Sequence, residues 1–273
     1  MRVHVYLSGN PVHDRVLDAF AQGCPEDCRL LPVEEYDPSD VAVVFGVYKS
    51  QISVSYPRGA VIANQAKLKR PTVVLETGYI FRGDTRENHY AAGLNGLNGR
   101  ADFRNQNSPP DRWKLLQEQG IYFQPWRYAE DILLCGQVPW DASVDHTNHV
   151  EWINATAAKL TFLTDRRVMF RPHPHAPLPP VPGVDYQTGA IPWERIHACV
   201  TFNSNTAVEA ALAGVPVFVD DVGSMALRIA NRNLNAIETP AMPSREQWAY
   251  DLAYAQWTPQ EMAEGKTWSH LFG

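Results

Sequence analysis

The stretch ACVTFNSNTAVEAALAGVPVFV, at residues 198–219, changes character twice within a few residues. An apolar segment leads into a polar run at 203–206, an Ala-rich segment with helical spacing follows, and a second apolar segment ends the stretch. Short apolar runs rich in β-branched residues predict buried strands, and strands that alternate with helices are typical of a parallel α/β sheet. We therefore predict a strand at 197–202, a helix at 206–214 and a strand at 215–221.

The residues before this stretch repeat the pattern. Residues 131–141 predict a strand that leads into a polar turn, and 147–163 predict a helix. The next strand, within RRVMFRPHPHAP, must stop at Pro172, because proline cannot continue a central ladder. One more helix is predicted around 224–232.

The N-terminal part of the chain also begins with a strand and a helix. The strand RVHVYLSG ends in a Ser-Gly turn, and the helical spacing that follows ends at Gly23, a candidate C-cap. Continuous apolar runs then predict three strands buried on both faces, at 41–48, 59–67 and 71–80.

A long polar segment follows these predicted strands. From Arg82 to Pro110 the sequence is rich in Gly and Asn and has no regular period, which predicts a loop. Loops of this length inside a compact domain are uncommon and are functional or disordered. The interspersed Tyr90, Phe103 and Trp113 favour an ordered, functional loop.

The length of 273 residues fits two domains of about 100–150 residues each. We predict an α/β fold with two Rossmann-like parallel-sheet domains that face each other across a cleft. The first domain is placed at 1–128 and the second at 129–255. A C-terminal helix at 256–273, with Thr258 as N-cap and Pro259 in the first turn, is expected to pack back on the body.

Composition excludes several classes of protein. With 45% apolar and 20% charged residues, the chain reads as globular rather than disordered or fibrous. It contains no apolar run of the ~18 residues that a membrane span needs and no secretory signal pattern, so we expect a cytoplasmic protein. The four cysteines have neither zinc-site spacing nor a disulfide pattern.

The net charge of −6 is unevenly distributed. Residues 41–127 hold 12 Lys and Arg against 6 Asp and Glu, so this segment is basic although the chain is acidic. Such an excess is either scattered over a solvated face or forms a positive surface for an anionic partner such as nucleic acid.

The polar run at 203–206 connects the predicted strand at 197–202 to the predicted helix that follows it. The positive end of a helix favours an anion, so Ser204, Asn205 and Thr206 are placed to hold a phosphate. Glu209 lies three residues past Thr206, which predicts either a capping box or a carboxylate that binds the hydroxyls of a ribose.

Two more polar corners follow strands of the same predicted sheet. Arg171 and His173 are donors suited to a diphosphate, on a loop that the flanking prolines make rigid, although a rigid turn without function fits the same residues. Gln137, Asp141 and Ser143 form the other corner. Because the carboxyl ends of parallel strands meet at one edge, we expect all these corners to converge on one crevice.

The segments GQVPWDAS, FRPHP and SNTAVEAALAGVPV, in this order and spacing, resemble the second lobe of GT-B glycosyltransferases of the capsular polysaccharide synthesis type. The resemblance implies a nucleotide-sugar site in the second domain, with Arg171 and His173 near the donor phosphates and Glu209 toward the ribose. The segments LETGYI and GLNGLNGRADF resemble predicted glycosyltransferases of tailed phages, some of which are thought to act on hydroxymethylated pyrimidines in DNA.

Sugar transfer requires a base that deprotonates the acceptor hydroxyl. Glu76, at the end of the strand VVLE, and Asp102, in the long polar loop, are the catalytic candidates. Each has a plain structural alternative, because Glu76 could cap nearby N–H groups and Asp102 could shape a turn beside Arg100 and Arg104.

For the acceptor we favour hydroxymethylated double-stranded DNA, because the basic segment interleaves arginines with aromatic residues suited to phosphate contact and base stacking. The acceptor residues predicted on this ground are Asn98, Arg100, Arg104 and Trp113. The alternatives are a surface or capsular carbohydrate acceptor and, from another class, a non-catalytic module that binds nucleotide or DNA.

No cofactor is expected beyond the donor substrate, for which a UDP-sugar is the first guess. The histidines do not form an H-E-x-x-H pattern, and the resemblance to GT-B enzymes implies a transferase that needs no metal. Walker, G-x-G-x-x-G and G-x-S-x-G motifs are missing from the sequence, which ranks NTPase, dehydrogenase and hydrolase functions low.

Overall fold

The computed structural model describes residues 1–25, 27–47, 57–82 and 88–273. The chain divides into two compact units, of which the first holds Met1–Arg112 with Tyr250–Gly273 and the second holds Trp113–Ala249. The first unit is therefore built from both ends of the chain, whereas the sequence placed its boundaries at 128 and 255.

The first unit is an α/β unit around a six-stranded sheet in the order β11-β5-β4-β3-β1-β2. Strands β1 to β4 run parallel, and β5 and β11 are antiparallel to their neighbours. Its elements are β1 (Val3–Leu7), α1 (Pro11–Gln22), β2 (Cys28–Pro32), β3 (Val41–Phe45), α2 (Pro57–Lys67), β4 (Thr72–Thr77), β5 (Tyr90–Leu94), β11 (Gln256–Trp257), α7 (Pro259–Ala263) and α8 (Lys266–Phe272).

The C-terminal segment completes the core of this unit. The apolar side of α1 packs with α7 and α8 over the sheet, and Phe20 meets Trp268 edge to face at 6.2 Å. Helix α7 begins as predicted, with Thr258 and Glu261 in a capping box and Pro259 in the first turn. Burial of these apolar side chains is what holds the two ends of the chain together.

The prediction of a strand at 59–67 was wrong, because these residues form most of helix α2. Parallel strands β3 and β4 need a crossover connection, and α2 lies between them in the chain and supplies it. Its β-branched Val61 and Ile62 mimic a strand pattern, yet Val61 is buried as part of the helix face.

The polar segment at 82–110 contains strand β5, which the sequence did not predict. Strand β5 pairs antiparallel with β4 and is buried along its whole length. Its Ala-Ala-Gly sequence has little strand propensity. Gly93 is needed there, since a Cβ at this position would lie 2.6 Å from Ala101 Cβ and 2.8 Å from Phe103 Cε1.

The second unit is an α/β unit around a five-stranded parallel sheet in the order β10-β9-β6-β7-β8. Its elements are α3 (Asp111–Glu118), which begins in the first unit, β6 (Asp131–Cys135), α4 (His149–Leu163), β7 (Val168–Arg171), β8 (Asp185–Tyr186), β9 (Ile196–Thr201), α5 (Thr206–Leu212), β10 (Val217–Val219) and α6 (Glu246–Ala253), which ends in the first unit.

Most of the second sheet follows the sequence prediction. Strands β6, β7, β9 and β10 and helices α4 and α5 lie where the apolar runs and spacing placed them, and β7 ends at Arg171, before the prolines. The helix predicted around 224–232 was wrong, because that segment contains only a short 3-10 turn at Leu227–Ile229. In the described part of the chain, no helix is both long and apolar enough to cross a membrane.

Candidate functional site

Two strand-end corners of the second unit are joined by a buried amide pair. Gln137 follows β6 and Asn203 follows β9, and their side chains are 8% and 4% exposed. Gln137 Nε2 donates to Asn203 Oδ1 at 2.7 Å, and the main-chain N–H of Asn203 donates to Gln137 Oε1 at 3.0 Å. These reciprocal hydrogen bonds fix both corners at the carboxyl edge of the sheet.

The network continues to the corner after β10. Asn203 Nδ2 donates to Asp221 Oδ1 and to the main-chain oxygen of Ser143, both at 2.8 Å. Asp221 Oδ1 also accepts the main-chain N–H of Gly223, and Asp221 Oδ2 lies 3.1 Å from His146 Nε2. Groups from three strand ends thus meet in one hydrogen-bonded cluster that ends at the exposed imidazole of His146.

An aromatic layer lies beside this network. His149 opens α4, and its Nε2 accepts the main-chain N–H of Gln137 at 2.9 Å, which leaves the proton of the neutral ring on Nδ1. The ring stacks on Trp152 at 5.3 Å, and Phe202 meets both rings edge-on. Burial lowers the pKa of His149 to about 4, so the ring is neutral near pH 7.

A cavity of about 340 Å³ lies next to this layer, lined by residues of α4, β9, β10 and segment 231–234. Trp152 forms part of its wall and donates from Nε1 to Asp220 Oδ2 at 2.8 Å. Arg232, on the rim, donates to the main-chain oxygen of Asp220 at 2.8 Å. The volume of this cavity falls in the range of small-molecule sites, about 300–1,000 Å³.

The corner after β6 brings its predicted residues together. Asp141 Oδ1 accepts the main-chain N–H of Ser143 at 2.8 Å and its hydroxyl at 2.7 Å, which closes a tight turn. Gln137 Nε2 reaches Ser143 Oγ at 3.4 Å. The carboxylate of Asp141 is exposed and lies at the solvent side of the buried amide pair.

The polar run after β9 forms a turn stabilised by its own hydroxyls. Ser204 Oγ lies 3.1 Å from Thr206 Oγ1 and accepts the main-chain N–H of Thr206 at 3.2 Å. Helix α5 begins at Thr206 with Asn205 as its N-cap residue and no side-chain cap bond, so the capping box with Glu209 is not formed. The exposed Glu209 instead accepts a 3.4 Å hydrogen bond from Asn205 Nδ2.

The corner after β7 is tied to its own surroundings. Arg171 donates from one Nη to Gln187 Oε1 at 2.6 Å and to the main-chain oxygen of Gly189 at 2.5 Å. His173 Nδ1 accepts the main-chain N–H of His175 at 3.2 Å. Arg171 therefore anchors the loop at 187–189.

Glu76 occupies the carboxyl end of β4, as the sequence predicted. It is half-buried, and its Oε1 accepts the main-chain N–H of Thr77 at 2.8 Å. Gly46, at the end of the neighbouring β3, has a φ of +72°, and a Cβ there would lie 3.1 Å from an Arg58 Nη and 3.5 Å from Glu76 Oε2. The guanidinium and the carboxylate therefore both crowd the end of β3.

His13 belongs to the same edge of the first sheet. Its ring stacks on Phe45 at 4.0 Å and 8°, and Arg58 donates to the main-chain oxygen of Phe45. Burial and the positive charge of Arg58 lower the pKa of His13. The sequence did not single out His13 or Arg58, because neither is close in the chain to Phe45, the residue at the end of β3 that both contact.

Asp102, the other catalytic candidate, lies near the opposite end of β4 from Glu76. Because β5 is antiparallel, Leu94 pairs with Val73 at the start of β4, and Asp102 bridges to Leu94. Glu76 pairs with Ala91, about 10 Å further along the sheet. The two catalytic candidates therefore do not belong to one site within this unit.

Asp102 instead shapes its own turn, which is the structural alternative that the sequence left open. Its Oδ1 accepts the main-chain N–H of Arg104 at 2.9 Å, and the two side chains form an exposed ion pair at 3.3 Å. Asn98 and Arg100 lie in the same loop, where Asn98 Oδ1 accepts the hydroxyl of Tyr79 at 3.4 Å.

The aromatic residues predicted to stack on a base are core residues. Tyr90, Phe103 and Trp113 are 4%, 5% and 3% exposed. Trp113 stacks on Phe123 at 4.9 Å inside the second unit. Because these side chains are buried in the core, they cannot stack on a base, and the prediction that they do so was wrong.

Sequence reasoning missed the residues that link the predicted corners. Asn203 and Asp221 meet the segment that contains Gln137, His146 and His149 only in the folded sheet, because a long stretch of chain separates them from it. One signal was available: the rule that singled out Ser204 also applies to Asn203 and to Asp221, which each lie two residues past the end of a buried strand. Among the described residues, no three His, Cys, Asp or Glu side chains are grouped to hold a metal ion.

Comparison with known proteins supports the fold. The beta Kdo 2,4 transferase of Thermosulfurimonas dismutans KpsC superposes with a TM-score of 0.58 at 13% identity, over 93% of this chain and 90% of that chain. The beta Kdo 2,7 transferase of the same KpsC gives 0.55 at 12% identity, over 97% and 98%. The chain thus has the GT-B-like fold of two Rossmann-type α/β units.

Other comparisons add little. The UDP-GlcNAc 2-epimerase of Methanocaldococcus jannaschii, in complex with UDP-GlcNAc and UDP, reaches a TM-score of only 0.34 at 12% identity over 100% of both chains, which is too weak to support an inference. No family model and no curated protein sequence matches the chain.

Proposed function

We propose that the chain is a glycosyltransferase that moves a sugar from a nucleotide-sugar donor to a hydroxyl acceptor, with the donor held at the carboxyl ends of β6, β7, β9 and β10. The observation that carries this proposal is the buried Gln137–Asn203 pair. It joins two strand ends into a preformed polar surface, at the edge where open α/β sheets bind their ligands.

The fold supports sugar transfer, although fold alone does not decide function. Both KpsC structures that superpose on the chain are described as Kdo transferases. The chain shares with them the two α/β units, and it carries polar residues at the strand ends of the second unit. This combination favours a transferase over a protein that kept the fold without a site.

The predicted donor residues receive these roles in the proposal. The hydroxyls of Ser204 and Thr206, with His173 and Arg171, contact the donor phosphates, and Glu209 contacts the ribose. The cavity lined by Trp152 takes an apolar face of the donor, because it lies beside the amide network and has the size of a small-molecule site.

For the acceptor we propose a carbohydrate hydroxyl. Hydroxymethylated DNA keeps only the positive charge of residues 41–127 in its favour, since the aromatic side chains that supported it are buried. The two acceptors differ in a simple property: retention of double-stranded DNA should weaken steeply as salt rises. A carbohydrate transferase should not retain DNA at any salt concentration.

In the first unit, Glu76 is the candidate base, at a strand end beside Gly46 and Arg58. The predicted acceptor residues Arg100 and Arg104 are exposed, but they lie in the loop that starts at the other edge of the sheet.

The experiment is a nucleotide-release assay. The purified chain is incubated with sugar conjugates of UDP, GDP, CMP, dTDP and ADP, with and without oligosaccharides or hydroxymethylated DNA, and the freed nucleotide is measured. Release from one donor family, accelerated by oligosaccharides, supports the proposal. Acceleration by DNA alone would replace the acceptor, and binding of nucleotide without any release would identify a non-catalytic module.

A further inference from the structure

His146 is a histidine of the second unit to which the proposed reaction assigns no role. Its side chain is 42% exposed, and its Nε2 lies 3.1 Å from Asp221 Oδ2. Asp221 is 9% exposed at the side chain, and its other oxygen accepts hydrogen bonds from Asn203 Nδ2 and the N–H of Gly223. The carboxylate is therefore fixed in place before any ligand binds.

The geometry sets the tautomer of His146. An ionised carboxylate can only accept hydrogen bonds, so the ring proton between His146 and Asp221 belongs to Nε2. The lone pair of the neutral ring is then on Nδ1. A carboxylate that orients an imidazole through one nitrogen while the other takes a proton is the arrangement by which histidine acts as a general base.

Two carboxylates lie beside the ring of His146. Asp145 Oδ1 is 3.9 Å from Nδ1 of His146, and Asp221 lies on the Nε2 side. The same carboxylates repel a phosphate, which argues against a contact between His146 and the donor diphosphate.

We propose that His146 is the general base that takes the proton of the acceptor hydroxyl, with Asp221 as its positioning residue; this rests on the proposed glycosyl transfer. In the step where the acceptor attacks, its oxygen forms the bond to the anomeric carbon. The bond from that carbon to the leaving group breaks, and its electron pair stays on the leaving group. The hydroxyl proton passes to His146 Nδ1.

His146 has an advantage over Glu76 in this role. It belongs to the same unit as the proposed donor corners and is joined to them through Asp221 and Asn203. Glu76 lies in the other unit, and one of its oxygens accepts the N–H of Thr77.

The test is the rate of nucleotide release from a nucleotide-sugar that the wild type turns over. His146→Ala should lower kcat by about 10²–10⁴-fold with KM changed only a few-fold, the usual range for loss of a general base. Because the site is exposed, added imidazole should restore part of the rate in His146→Ala. His175→Ala removes another exposed histidine of the same unit and should keep the wild-type rate.

The outcomes separate this inference from the proposed function. Three results would overturn the role of His146 and leave glycosyl transfer standing, provided that the wild type releases nucleotide. His146→Ala could release nucleotide at a rate within threefold of wild type, or it could change only KM. It could also lose kcat without any recovery when imidazole is added. Rescue of Glu76→Ala by acetate or formate, without rescue of His146→Ala by imidazole, would assign the base to Glu76. No release by wild type from any nucleotide-sugar overturns both proposals.

A second measurement tests the positioning role of Asp221 without any ligand. In ¹⁵N NMR spectra, His146 should carry its proton on Nε2 in the neutral form. Asp221→Asn can present an N–H to the ring, so it should shift the tautomer toward Nδ1–H and lower kcat while the fold stays intact. A wild-type ring protonated on Nδ1, or an unchanged tautomer and kcat in Asp221→Asn, would overturn the assignment.

Discussion

Asn203 illustrates how one side chain can organise a site. Its amide offers two donor hydrogens and one acceptor oxygen, and these are used by Asp221, the main chain of Ser143 and Gln137. Aspartate would lose both donors, and an apolar residue would lose all three bonds. A buried network with every member paired is rigid, and one with a missing member is costly.

The first prediction concerns this amide. Asn203→Ala removes one hydrogen-bond partner from each of the buried side chains of Gln137 and Asp221. We therefore expect the free energy of unfolding to fall by about 2–4 kcal/mol, from the cost of buried polar atoms that lose a partner. Urea unfolding measures the change, and the exposed Asn235→Ala serves as control. A loss below about 0.5 kcal/mol, as is usual for surface substitutions, would contradict the network.

The second prediction concerns His149, whose pKa is lowered to about 4 by burial. The unfolded chain, with an ordinary histidine pKa, binds the proton first as pH falls, so stability should decrease between about pH 6.5 and pH 4. The loss attributable to His149 is roughly 2–3 kcal/mol on this scale.

The control for this effect is His149→Gln, whose side-chain oxygen can still accept the N–H of Gln137. Urea unfolding at pH 7.5 and pH 4.5 should give a smaller drop in the variant than in wild type. A residual slope is expected, because burial also lowers the pKa of His13, His197 and His270. Equal drops in both proteins would contradict the assignment.

At the scale of elements, the start of α7 is held by an arginine from another part of the chain. Arg112 donates to Glu261 Oε1 at 2.5 Å and to Glu261 Oε2 at 3.1 Å, and its guanidinium lies 3.8 Å from the ring centre of Trp257. Burial alone would raise the pKa of Glu261, but the hydrogen bond and charge of Arg112 hold it below the ordinary value.

The third prediction follows from this contact. Arg112→Ala leaves Glu261 largely buried without its partner, so we expect a loss of about 3–5 kcal/mol in the free energy of unfolding. Arg112→Lys keeps the charge but not the paired hydrogen bonds, and should lose less. Equilibrium unfolding in urea measures both variants, and a neutral Arg112→Ala would show that α7 is docked by apolar packing alone.

Sequence patterns predicted elements well where local signals agreed with the tertiary environment. Strands β6, β7 and β9 combine apolar runs with clear stops, and all were found. Helix α2 was misread because Val61 and Ile62 favour strands, and the need for a crossover decided otherwise. Strand β5 was missed, since its Ala and Gly residues become a strand only through pairing with β4.

The candidate site was predictable only in part, for a related reason. Gln137 and Ser204 stood out as polar residues after predicted strands, and both lie at the carboxyl edge of the parallel sheet, where the sequence placed them. The partners of Gln137, by contrast, are set by which strands become neighbours, and the strand order β10-β9-β6-β7-β8 does not follow chain order. His146 and Asp221 could not be paired without that order.

At the scale of the whole molecule, the two units differ in their candidate chemistry. The second unit gathers amides, carboxylates and imidazoles from its strand ends into a network beside a cavity of about 340 Å³. The first unit presents Glu76, Arg58 and His13 at the corresponding edge of its own sheet. We propose that the donor binds to the second unit, because the polar groups of that unit are already connected.

The most direct test of a donor site in the second unit is a thermal-shift screen of the chain against UDP, GDP, CMP, dTDP and ADP and their sugar conjugates. A ligand at one hundred times its Kd stabilises by about 2.7 kcal/mol, which raises Tm by several degrees for a chain of this size. We expect one nucleotide family to raise the Tm of wild type and of His175→Ala, and to raise that of His173→Ala much less. If no nucleotide raises the Tm of wild type, the strand ends of the second unit do not form a nucleotide-sugar site.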